Sequence, residues 1–163
     1  MVTKKKHYWN VVIFSYTLLI IFAIFDVIGA YLWTKAGGWE GQAYLTAGII
    51  YQAIFWSMAY LTIAAIAITY YLTKKDKSES LALLFIPLIL LQFGVEDVIF
   101  YFLSGLNVFH DTMPWLMGHL WGPTIMTQAL GQTVINGGIL FISAIIGILI
   151  SFLVAAQLEK IKG

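Results

Sequence analysis

The sequence predicts an all-α polytopic membrane protein, a bundle of four transmembrane helices forming one domain over residues 1–163. Three observations carry that prediction. The chain is 61% apolar and only 10% charged, where a soluble domain carries about 25% charge. Its mean hydropathy is +0.88. Four apolar runs each exceed the roughly 20 residues that cross about 30 Å of hydrocarbon. None alternates as a barrel strand does, and backbone in lipid must bond to itself, so the runs are helices.

The first helix is expected over 9–33, after Lys4, Lys5 and Lys6. A basic start before an apolar run also describes a signal peptide. This run is too long, contains Asp26 and lacks a small-x-small cleavage site, so it reads as a retained helix. The second helix is expected over 44–72 and the third over 81–103. Pro87 predicts a kink in the third, with a freed carbonyl near residue 83, and Ser78 or Ser80 is the expected N-cap.

The 104–132 connection is long and apolar, with Met113, Trp115, Leu116, Met117 and Trp121. It predicts an interfacial amphipathic helix or a re-entrant segment on the outer side. Asp111 followed by Pro114 suits a helix start near residue 112, and Gly118, Gly122 and Pro123 are expected to break that helix.

The fourth helix is expected over 133–157. It carries Ser143, Gly147, Ser151 and Ala155 at four-residue spacing, a stripe that lets another helix backbone approach closely. Packing within the chain is the favoured use. A homo-oligomer or larger membrane complex is the alternative.

Lysines set the expected topology. All except Lys35 fall before helix 1, between helices 2 and 3, or after helix 4. The positive-inside rule then makes both termini and the 73–80 loop cytoplasmic, with 34–43 and 104–132 facing outward.

Composition also excludes chemistry. There is no cysteine, hence no disulfide, thiol redox chemistry, thiolate metal site or palmitoylation. There is no arginine, hence no guanidinium clamp on phosphate or carboxylate. The net charge of +1 and the absence of a basic face with interleaved aromatics argue against nucleic acid. Neither His-Glu-x-x-His nor Gly-x-Ser-x-Gly occurs.

The chemistry-bearing residues are therefore the polar ones inside apolar runs. A charge in hydrocarbon costs about 2.5–3.5 kcal/mol on insertion scales, so Asp26, Glu96 and Asp97 each call for a partner, a cavity or a cation. Counted at 1.5 Å per residue, Asp26, Glu96 and Gln52 lie roughly 10–12 Å below the outer helix ends. Asn136 is shallower on the same side. His110, Asp111 and His119 follow in the outer loop. Imidazole with carboxylate suits Zn²⁺, Fe²⁺, Mn²⁺ or a proton relay. Gln52 or Gln92 is expected to hydrogen-bond Glu96 or Asp97, and Tyr101, one turn above Asp97, to do the same. The alternative for the carboxylates is a hydrogen-bonded cluster that fixes helix register. The alternative for each histidine is a headgroup contact. Trp9, Trp33, Trp39, Trp115 and Trp121 are expected as interfacial belts, and Trp56 as a packing residue.

The run Phe93-Gly94-Val95-Glu96-Asp97-Val98-Ile99-Phe100-Tyr101, with Met113-Pro114-Trp115-Leu116 downstream, resembles a pattern in small prokaryotic four-helix membrane proteins of uncharacterised function. The resemblance implies a prokaryotic plasma-membrane location and groups Glu96, Asp97 and Trp115 as a unit. It implies no activity.

Three functions fit these residues. The first is an outer-half cation site, for a divalent metal ion or a proton, built from Glu96, Asp97, Asp26, His110 and His119 and serving transport or sensing. Its supporting residues are Gln52, Gln92, Tyr101, Asp111, Trp115 and Asn136. The second is an enzyme acting on a lipid or isoprenoid at the outer leaflet, with Glu96 or Asp97 as acid or base and His119 as partner. The third is an accessory subunit of a larger complex. Membrane lipids are expected partners in all three.

Overall fold

The computed structural model describes residues 5–35, 43–106, 109, 112–113 and 116–161, with side chains over the same residues except 5–8, 33–34, 43–49 and 159–161. Among these the chain is almost entirely helical: α1 (Lys5–Lys35), α2 (Ala43–Lys74), α3 (Lys77–Gln92), α4 (Val95–Ser104), α5 (Trp121–Ala129) and α6 (Gly137–Ile161). Two short strands, β1 (Thr112–Met113) and β2 (Ile135–Asn136), complete it. Spans of 24, 25 and 22 residues within α1, α2 and α6 are long and apolar enough to cross a membrane. The α3–α4 pair makes a fourth if it is counted as one bent span. These helices suggest an integral membrane protein.

The helix at the centre is α3. It packs against α1, α2 and α6 and buries Ala82, Leu83, Ile86, Leu90 and Leu91. Large side chains such as Phe25, Leu61 and Leu153 face outward from α1, α2 and α6. So much apolar surface is untenable in water and is what lipid requires. Only 28% of the α2 span is buried, against 39% for α1 and α6, so α2 sits at the periphery.

The third run departs from expectation. It is two helices bent by 59°, and the break falls at Phe93–Gly94 rather than at Pro87. Helix α3 continues through Pro87, whose ring is buried. A proline removes one helical hydrogen bond but keeps a helical φ, whereas Gly94 takes φ +80°, which turns the chain out of the right-handed helix. The Phe93 N–H still reaches Ile89 O at 3.0 Å, and the Gly94 N–H tightens onto Leu91 O at 3.1 Å. A new helix then starts, with the Val98 N–H donating to Gly94 O at 3.1 Å.

Asp76, not Ser78 or Ser80, caps α3. Its carboxylate accepts from the Glu79 N–H at 3.2 Å and from the Ser78 hydroxyl at 2.9 Å. Ser80 instead donates to Ala67 O at 2.6 Å and ties α3 to α2. Aspartate two positions before Ser78 satisfies an orphan N–H of the first turn, so the serine is left as its supporter.

The 104–132 connection also differs. Among the described residues no helix begins near 112. Instead Thr112 and Met113 pair antiparallel with Asn136 and Ile135, and Met113 and Ile135 are both fully buried. The helix lies later, at Trp121–Ala129, and it begins where Gly122 and Pro123 were expected to end one. Pro123 occupies its first turn, where the missing N–H had no helical acceptor to lose. Helix α6 starts at Gly137, four residues later than expected. Asn136 precedes it rather than lying inside it, and accepts from the Ile139 N–H at 3.0 Å as its cap.

The small-residue stripe of α6 faces inward. Ser143, Gly147, Ser151 and Ala155 are all buried within the chain. Phe93 lies over Gly147, where an added Cβ would stand 2.9 Å from its Cγ. Gly122 of α5 meets the Ser143 hydroxyl, 2.5 Å from where its Cβ would be.

Candidate carboxylate site at the helix break

Restarting the helix at Val95 puts Glu96 and Asp97 in the first turn of α4. Gly94, the N-cap, has no side chain to satisfy the orphan N–H groups there. The positive end of the α4 dipole is thus presented to two carboxyl groups of its own chain. Glu96 is only 1% exposed. Its Oε1 and the Oδ2 of Asp97 are buried with no hydrogen-bond partner.

Asp26 comes from α1, which packs along α4. It lies within electrostatic range of both Glu96 and Asp97. Its carboxylate accepts from the Tyr51 hydroxyl of α2, which also sits 3.1 Å from the Asp26 carbonyl oxygen. Tyr51 is itself within electrostatic range of Glu96. Three carboxylates and one phenol from α1, α2 and α4 therefore share one region beside the break.

The expected amide partners are elsewhere. Gln52 accepts from the Trp56 indole N–H at 3.0 Å, one turn along α2. Gln92 donates to the Tyr60 hydroxyl of α2 and accepts from the Trp121 N–H at 3.2 Å. It thereby caps α5 from a distance and joins α2, α3 and α5. An amide at the end of α3 points toward the groups the bend brings near, not along its helix toward Glu96. Tyr101 is buried and meets Phe100 edge-on, with ring centroids 5.7 Å apart.

His119 is exposed in the turn before α5, its backbone N–H donating to Leu116 O at 3.1 Å. His110, Asp111 and Trp115 lie outside the described residues. Among the described residues, no three His, Asp or Glu side chains are grouped so as to hold a metal ion. Trp121 and Trp9 are exposed at helix ends, and Trp56 is buried.

Sequence reasoning missed Tyr51 at this site and two buried polar residues elsewhere, Glu79 and Ser143. Tyr51 adjoins Gln52, which the depth argument selected, but that argument weighed amides and carboxylates and passed over a phenol. Glu79, buried and bonded to the Tyr70 hydroxyl, fell in a segment read as a solvated turn. Ser143, buried with an unpartnered hydroxyl, was read only as a small residue.

Comparison with protein-family models, curated proteins and solved structures finds no match.

Proposed function

We propose that the chain is a four-span integral membrane protein of the plasma membrane whose outer half holds a cation site at Glu96 and Asp97. In this reading α3 and α4 together make the third span. Both termini and the Lys74–Lys77 turn are cytoplasmic, and α5 with the β1–β2 ladder closes the outer end. The lysine bias supports that orientation.

One observation carries the site: two adjacent carboxyl groups, at a break in an apolar helix pair, each with a buried oxygen and no partner. Burying a carboxylate without a partner is costly, and binding a cation removes that cost. Discontinuous helices in transporters likewise place ion sites at breaks within the membrane, where unwound carbonyls and half-helix C-terminal ends meet the cation. A proton is the occupant that needs only the groups at hand. A structural or catalytic zinc takes three or four protein ligands. Asp26, held by Tyr51, is the neighbouring charge that couples α1 and α2 to the state of the pair.

Elemental analysis beside a proton-uptake measurement tests the reading. Detergent-purified wild type, with Glu96→Gln/Asp97→Asn as control, is expected to take up protons on acidification in excess of the variant, with equal metal content in both. A stoichiometric metal present in wild type and lost in the variant would make the occupant a metal ion. Identical proton uptake with identical metal content would remove the cation site.

A further inference from the structure

At the opposite end of the molecule, α2 and α3 diverge enough to leave an open groove of about 230 Å³. Its lining is apolar apart from two hydroxyls, and Ala64, Ala67, Tyr71 and Leu84 form much of it. The small alanines of α2 create the space, and Ser80 shares its hydroxyl with Ala67 O rather than offering it outward. Lipid is the surrounding phase along this peripheral helix.

The charges at the groove's mouth are one-sided. Lys74, Lys75 and Lys77 are all exposed in the turn between Tyr71 and Ser80, two residues that line the groove. The Lys75 ammonium stands 5.8 Å from the centre of the Tyr71 ring, a groove wall, which puts its charge at the opening. The two nearby carboxylates are engaged within the fold. Asp76 accepts from the Glu79 N–H and the Ser78 hydroxyl, and Glu79 is buried against the Tyr70 hydroxyl.

Lys75 is also the one described residue other than glycine with positive φ, +56°. It follows the last residue of α2, a position where glycine is the usual and less strained choice. A lysine kept there against backbone preference points to its ammonium as the reason.

We propose that this groove binds one anionic phospholipid, with an acyl chain along Ala64, Ala67 and Leu84 and its phosphate against Lys75, Lys74 and Lys77. Basic clusters between helices at a membrane surface recognise acidic headgroups in this way. The proposal is independent of the carboxylate site.

Native mass spectrometry of the full chain in mild non-ionic detergent tests it, titrating phosphatidylglycerol and phosphatidylcholine with identical acyl chains. Wild type is expected to retain phosphatidylglycerol in preference to phosphatidylcholine. Lys75→Gly relieves the backbone strain, so misfolding cannot explain a loss. It is expected to weaken phosphatidylglycerol binding about fivefold and leave phosphatidylcholine unchanged. Lys74→Gln/Lys75→Gly/Lys77→Gln is expected to erase the preference. Ala64→Leu, which fills the groove, is expected to weaken both lipids. Equal binding of the two lipids by wild type, undiminished phosphatidylglycerol binding in the triple variant, or an Ala64→Leu chain that binds like wild type would each overturn it.

Discussion

Tyr51 donates its hydroxyl to the Asp26 carboxylate across the α1–α2 contact, and its ring lies over Gly29, one turn further along α1. A Cβ at position 29 would sit 2.5 Å from the Tyr51 hydroxyl oxygen and 2.8 Å from Cε2. The glycine is what lets the phenol reach the carboxylate. In Gly29→Ala the flexible tyrosine, not the backbone, is expected to yield. The cost is then about that of the lost hydrogen bond to a charged group, about 1.5–3 kcal/mol. Thermal unfolding in detergent of Gly29→Ala, Tyr51→Phe and the double variant checks this. The two single effects are expected to be strongly non-additive, because they remove the same contact.

Gly147 makes a different demand. Its neighbour is the Cβ–Cγ root of Phe93, which cannot swing away without moving the backbone at the helix break. Gly147→Ala is therefore expected to destabilise by about 1–3 kcal/mol, the range for overpacking a filled interior. Unfolding in detergent measures the loss, and Phe93→Ala in the same chain is expected to relieve part of it.

Gln92 ties α2, α3 and α5 together by bonding Tyr60 and the Trp121 N–H. Gln92→Leu leaves a phenol and a backbone N–H of the α5 first turn without that partner. The expected loss is about 0.5–1.5 kcal/mol, the net worth of a part-exposed hydrogen bond. Trp121 adjoins this contact, so its fluorescence is expected to change in the folded variant.

The N-cap of α3 gives a simple comparison. Asp76→Ala removes the acceptor for the Glu79 N–H and is expected to cost about 1 kcal/mol. Ser78→Ala removes the hydroxyl bond to that aspartate but leaves the N-cap acceptor in place, and is expected to cost less. The ranking is read from unfolding midpoints of the two variants.

How much of this was legible in the sequence depended on how local the physics is. The apolar runs of α1, α2 and α6 declare themselves, because any 20-residue apolar segment must satisfy its backbone internally. The expectation that Asp26 and Glu96 share a depth came from counting residues along the first and third runs, which cross in the same direction. The helix break was not readable, because Pro87 is the stronger local signal and Gly94 acts only where Leu140 and Leu120 pack against it. The β1–β2 pair joins residues more than 20 positions apart, and no pattern in Thr112–Met113 announces it. Gln92 was assigned a partner along its own helix and Gln52 one across to the third; Gln52 instead bonds Trp56 on its own helix, and Gln92 bonds across the bend, a relation that only the 59° turn creates.

The central claim is that Glu96 and Asp97 bind a cation in the membrane, with a proton as the occupant. Infrared difference spectroscopy of the chain in liposomes, stepped across pH, reads it most directly through the carboxyl C=O stretch. A titrating carboxyl band shielded from solvent deuterium is predicted, reduced in Glu96→Gln and in Asp97→Asn and absent when both are replaced. A difference spectrum unchanged in the double variant would contradict it.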